Sequence, residues 1–160
     1  MAEKEVHARL KLVGAAFLKQ KCIDVVATEV RFRNIRSVAD VCALNLKRKE
    51  VRVIEVKASK ADYKRDKKLF DITKSYFLHC HYFYIMCPCG VIQKDEVPKE
   101  YGLLYVDENN NVEVIRNPKK NKTLKTRFET ALKNCVRSIT NDLIFKFFRC
   151  QDLVSWFKYQ

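Results

Sequence analysis

Val51-Arg52-Val53-Ile54-Glu55-Val56-Lys57-Ala58 sets one acid and one base into an apolar run. Its β-branched residues make it a strand buried on at least one face. Side chains two apart on a strand share a face, so Glu55 and Lys57 point the same way, their stems roughly 6–7 Å apart. A carboxylate and an ammonium on a sheet core are costly unless something there requires them.

Upstream, residues 3–20 read as an opening helix, with Val6, Leu10, Val13, Phe17 and Leu18 at helical spacing. Glu3 and Glu5 fall in its first turn, where acids suit the helix dipole; that accounts for both, although Glu5 is also placed to help hold a metal. Residues 23–33 follow as a strand containing Glu29, and residues 38–44 as another containing Asp40. The short basic turn before Glu50 implies an antiparallel hairpin with the Val51 strand. If that turn is even and centred between Lys47 and Arg48, Asp40 lies opposite Glu55, with Cβ atoms about 4.5–5.5 Å apart. Slipped by one residue, Asp40 points away. Two carboxylates so close repel unless a proton or cation lies between them, and hard cations such as Mg²⁺ take one or two carboxylates plus water and phosphate oxygens.

Downstream, residues 60–77 read as a helix with Leu69, Ile72 and Tyr76 as its inner stripe. Residues 82–86 form another buried strand, and residues 103–106 and 112–115 a hairpin around Asp107-Glu108-Asn109-Asn110-Asn111. From Thr123 the pattern turns helical, with Leu124, Phe128, Leu132, Cys135 and Ile139 inward. Thr140 or Asn141 is placed to cap a last helix that docks Phe145, Phe148, Leu153, Trp156 and Phe157. The expectation is one α/β domain over 1–160: a core at about 3–90, a hairpin at 100–118 and C-terminal helices at 122–160.

Of the 160 residues 48% are hydrophobic and 32% charged, which describes a folded chain rather than a disordered one. No apolar run is long enough to span a membrane, and the acidic opening does not suit a secretory signal, so a cytoplasmic location is expected. Seven cysteines without regular spacing fit a reducing compartment. The net charge of +13 is concentrated: residues 47–74 carry +6 and residues 116–137 carry +7. Two basic stretches on a neutral body suit a polyanion such as nucleic acid, against the plainer reading of a solvated surface. His79, Cys80 and His81 with Cys87 and Cys89 suggest zinc or an iron–sulfur cluster, but the spacing matches neither pattern.

The order helix, strand, strand with Asp40, strand with Glu55-Val56-Lys57, helix, strand resembles the PD-(D/E)XK nuclease superfamily. Ala39-Asp40-Val41, Glu55 to Ser59, Ala61-Asp62-Tyr63 and Arg65-Asp66-Lys67-Lys68 look more specifically like MmcB-type DNA repair proteins. That similarity continues through Pro98 to Leu104 and into the basic helix, reaching about Ile139. Ala39 stands where the superfamily's name has proline, and Val38 where close relatives have a basic residue.

The resemblance implies a restriction-endonuclease-like α-β-β-β-α-β core, a mixed sheet flanked by helices. It also implies Mg²⁺- or Mn²⁺-dependent hydrolysis of DNA, in repair or mobile-element processing. Asp40, Glu55 and the Val56 carbonyl would hold the ion, Lys57 would orient water and shield charge, and Glu29 would be a further ligand or would position water. Lys60, Lys64, Arg65, Lys67 and Lys68 would contact backbone phosphates, and a homodimer is compatible with the family. Other readings are a catalytically silent nucleic-acid-binding module of the same fold and an RNA-directed enzyme. The plain reading of Asp40, Glu55 and Lys57 is a hairpin ion pair, worth ~0–1 kcal/mol when exposed. That of Asp62 and Asp66 is intrahelical pairing.

Overall fold

The computed structural model describes residues 2–21, 23–32, 37–66, 69 and 75–149, without the side chains of 145 and 147–149. The chain runs α1 (Glu3–Gln20), β1 (Val25–Phe32), β2 (Ser37–Asn45), β3 (Glu50–Val56), α2 (Lys60–Arg65), a 3₁₀ turn (Tyr76–His79), β4 (Tyr82–Pro88), β5 (Gly102–Val106), β6 (Val112–Arg116) and α3 (Phe128–Arg149). The strands form one mixed sheet in sequence order. β1, β2 and β3 are antiparallel neighbours, β3, β4 and β5 are parallel, and β6 returns antiparallel. This is the α/β architecture expected, a six-stranded sheet flanked by helices.

Leu10 and Leu18 of α1 are fully buried against Val41, Ile54 and Met86 on one face, each contributing about 1.5–3 kcal/mol. Gly14 lets the helix approach closely: a Cβ there would lie 3.3 Å from Met86 Sδ. The other face packs under Tyr63, Leu69, Tyr76 and Tyr101, with Ala131 and Cys135 of α3. Arg116 ties down the connection between β4 and β5. Its guanidinium donates to the carbonyls of Tyr101, Lys94, Val97 and Pro98 at 2.7–3.1 Å.

The helix expected over 60–77 is interrupted at Asp66: Leu69 is helical again, and residues 67, 68 and 70–74 lie outside the described residues. α2 ends at Arg65, because Asp66 leaves helical geometry at φ −83°, ψ 79°. Ser75 then caps the separate 3₁₀ turn by accepting the Phe77 N–H. Leu69 and Tyr76 face the core as expected, while Ile72 lies outside the described residues. No new helix begins at Thr140 or Asn141. α3 runs through both, and Thr140 Oγ1 donates instead to the Val136 carbonyl at 2.9 Å. Leu153, Trp156 and Phe157, and the side chains of Phe145 and Phe148, are outside the described residues.

The alternation of faces breaks at one rung. Ala27 and Val30 both enter the core on the α3 face, as do Ala39 and Cys42, an odd step in each strand. Between them stand Glu29, at φ 54°, and Asp40; the β1–β2 ladder keeps one register on both sides but skips this pair.

Candidate active site

The β2–β3 ladder ends at Val41 opposite Ile54, so the next residues along are Asp40 and Glu55, the alignment the sequence anticipates for an even turn. The backbone ladder gives way there to a side chain. Asp40 Oδ2 accepts the Val56 N–H at 2.8 Å, and Oδ1 lies 3.5 Å from Nε2 of His7 on α1. The N–H and carbonyl of one strand residue point to the same edge, so the Val56 carbonyl also faces the Asp40 side.

Glu55 and Lys57 are buried, and Lys57 Nζ sits 3.4 Å from Glu55 Oε1 and 2.8 Å from Asp66 Oδ2. Glu55 Oε2 is buried with no hydrogen-bond partner among the described residues. Burial first, then the charge of Asp40, pushes the Glu55 pKa up to about 8. Burial pulls the Lys57 ammonium down, but the carboxylates of Glu55 and Asp66 outweigh it and raise its pKa. The shorter bond to Asp66 reconciles these directions: Asp66 takes the closer share of the cation and Glu55 is left short of positive charge. Burial, then the charge of Glu55, also drives up the Tyr76 hydroxyl, which donates to Ser37.

The other sequence candidates are dispersed. Glu29 is exposed and ion-paired with Lys11. Glu5 accepts the Ala2 N–H at 3.0 Å and caps its own helix. Asp62 accepts the Ala58 N–H at 3.2 Å. Lys60 pairs with Glu96 at 2.6 Å and Arg65 with Glu3 at 3.3 Å, while Lys64 is exposed. Lys67 and Lys68 lie outside the described residues. His79 bonds Thr126 at 2.6 Å, His81 accepts the Val51 N–H at 3.0 Å, and burial pushes the Cys87 thiol up to about 12. Among the described residues no three His, Cys, Asp or Glu side chains converge to hold a metal.

Sequence reasoning missed His7 and Asp66 as neighbours of the acids. The hydrogen bond to Asp40, opposed by partial burial, raises the His7 pKa. The available signal was spacing: Glu3, His7 and Lys11 recur every fourth residue, a polar stripe on α1. With Lys4, Asp62 and Arg65 this stripe lines a cleft of about 700 Å³ between α1 and α2.

The family model for "DNA repair protein MmcB-like" matches residues 8–143, which include Asp40, Glu55, Lys57 and Asp66. Among solved structures, a protein of unknown function from Silicibacter pomeroyi is similar in fold, with 24% identity and a TM-score of 0.61; the match covers 79% of this chain and 80% of that one. No curated protein matches the sequence. No helix among the described residues is long and apolar enough to cross a membrane.

Proposed function

Because the chain belongs to the MmcB-like family of DNA repair proteins, we propose that it is a metal-dependent nuclease of the PD-(D/E)XK kind that hydrolyses phosphodiester bonds in DNA. The observation that carries this reading is the buried, unpartnered Oε2 of Glu55 beside Asp40. An oxygen held out of water without a donor costs about 1–3 kcal/mol, more when charged, so a cation there would offset a real penalty.

The residues fit Mg²⁺ or Mn²⁺. Two carboxylates, Asp40 and Glu55, with the Val56 carbonyl, are the sparse oxygen set that such ions complete with water and substrate phosphate. A bound ion would supply Lewis acidity at the phosphate and acidify a neighbouring water. Lys57, kept charged by Glu55 and Asp66, stands to neutralise charge developing on the phosphate oxygens. His7 and the Val56 N–H fix the Asp40 carboxylate from two sides. Lys60, Lys64 and Arg65 would contact backbone phosphates.

That only two acids meet directly also suits a silent DNA-binding module. Incubation with Mn²⁺ and DNA of varied structure separates the readings. Cleavage lost in Asp40→Ala, Glu55→Ala and Lys57→Ala, with DNA binding retained, is the expected result. Binding without cleavage under any divalent metal would leave the module.

A further inference from the structure

A second concavity, of about 440 Å³, lies between the edge strand β1 and helix α3. Its wall is a polar stripe at helical spacing, Asn134, Arg137, Ser138 and Asn141, with Asp142 beside it, facing Glu29 and Arg31 of β1 and Val38 of β2. The apolar stripe of α3, including Ala131, Cys135 and Ile139, packs on the core beside it. Ser138 Oγ donates to the Thr28 carbonyl at 2.7 Å and fastens the helix to the strand where Glu29 takes its positive φ. No hydrogen bond or ion pair within the described residues engages the side chains of Arg31, Asn134, Arg137 or Asn141. Two amides and two guanidiniums are therefore free to meet a ligand.

Two features place this pocket on the path of a substrate. Glu29 is the register partner of Asp40 across the skipped rung, so the pocket opens next to the candidate active site. Glu29 also pairs with Lys11, which lines the α1–α2 cleft; the Lys11–Glu29 bridge is the ridge between the two concavities. A strand laid across that ridge over Asp40 would have phosphates on the α1–α2 side and the next nucleotide on the β1–α3 side.

We propose that the β1–α3 pocket is a subsite for one unpaired nucleotide of the DNA strand, its base edge met by Asn134 and Asn141 and its phosphate by Arg31 and Arg137. Carboxamides pair with base edges and guanidiniums with phosphate. A pocket of this size admits a single nucleotide and excludes a stacked duplex, so the preferred substrate carries a frayed, gapped or single-stranded segment. This deepens the nuclease reading and rests on it for direction only, since binding is measured without cleavage.

The test is anisotropy of labelled oligonucleotides with the full chain in EDTA: single-stranded DNA, the same strand with abasic residues, and a blunt duplex. Wild type is expected to bind the intact single strand better than either other form. Asn134→Ala/Asn141→Ala should lose about tenfold on that strand, as for one good base contact, and little on the abasic strand or duplex. Arg137→Ala, at an exposed position, should weaken intact and abasic strands alike. Circular dichroism and melting establish that the variants fold; should the double variant fail to fold, Asn141→Ala alone, at an exposed site, carries the comparison. Equal losses on intact, abasic and duplex DNA, or none, would overturn the subsite. A protein that shows the base-dependent loss yet never cleaves DNA would retain the subsite and lose the nuclease.

Discussion

The carboxylate of Asp40 takes the N–H of Val56 at 2.8 Å, so the β2–β3 ladder ends with β2 offering β3 a side chain in place of a backbone carbonyl. One residue thus has two duties, closing the ladder and presenting charge to Glu55.

Two substitutions separate those duties. Asp40→Asn keeps an oxygen for the Val56 N–H and should fold within about 1 kcal/mol of wild type, whereas Asp40→Ala orphans that buried donor and should cost about 1–3 kcal/mol. Both should abolish cleavage, and both should lower the Glu55 pKa, which the Asp40 charge raises. Thermal melts and a metal-dependent cleavage assay read the two effects; a cleaving Asp40→Asn would remove Asp40 from the chemistry.

Glu55 makes stability depend on pH in a direction opposite to that of a salt-bridged acid. Its folded pKa of about 8 stands above the ordinary 4.5, so the folded state holds the proton more tightly. That stabilisation is fully present below 4.5 and is lost as pH rises toward 8. The melting temperature of metal-free protein should fall across this window, and Glu55→Gln should flatten the slope. Mn²⁺ must displace the proton, so it should raise the melting temperature more at pH 8 than at pH 6. Equal shifts at the two pH values would disconnect the ion from Glu55.

Lys57 is held chiefly by Asp66, 2.8 Å away. Asp66→Asn should let the ammonium swing toward Glu55, lowering the pKa of Lys57 because an anion that raises it is gone. Single-turnover cleavage should slow about tenfold or more, in keeping with a misplaced charge-stabilising group, while DNA affinity stays unchanged. Lys57→Ala is the harsher change: it leaves Glu55 and Asp66 together without their cation and should cost about 3 kcal/mol in chemical denaturation at pH 8.

Gly102 opens β5 against two rings. A Cβ there would stand 2.6 Å from Tyr84 Cδ1 and 2.9 Å from Pro118 Cδ, and the proline ring cannot swing aside. Gly102→Ala should destabilise the protein by about 1–3 kcal/mol in urea titration, with no change in the pH dependence assigned to Glu55.

The sequence made some elements plain because their causes are local. The period of Leu10 and Leu18 marks α1 from Glu3 to Gln20, and the parity of the basic turn aligns β2 with β3. The break after Arg65 is not legible because Lys and Arg favour helix on both sides of it, whereas Asp66 leaves helical geometry and bonds Lys57. Thr140 resembles a cap by residue type alone, yet within α3 its hydroxyl is satisfied by the preceding turn. His7 reaches Asp40 because α1 folds back over the sheet, a contact across 33 positions; the spacing of Glu3, His7 and Lys11 marks the polar stripe but not what it faces.

Arg116 has a reach beyond its own strand. By binding the carbonyls of Val97 and Pro98 it anchors the segment that carries Glu96, whose carboxylate holds Lys60 and whose carbonyl holds the Tyr63 hydroxyl. The outermost hairpin therefore sets the pose of α2, whose Lys60, Lys64 and Arg65 are the proposed phosphate contacts. Trimming the hairpin as a dispensable ornament would unseat α2 from the far side of the sheet.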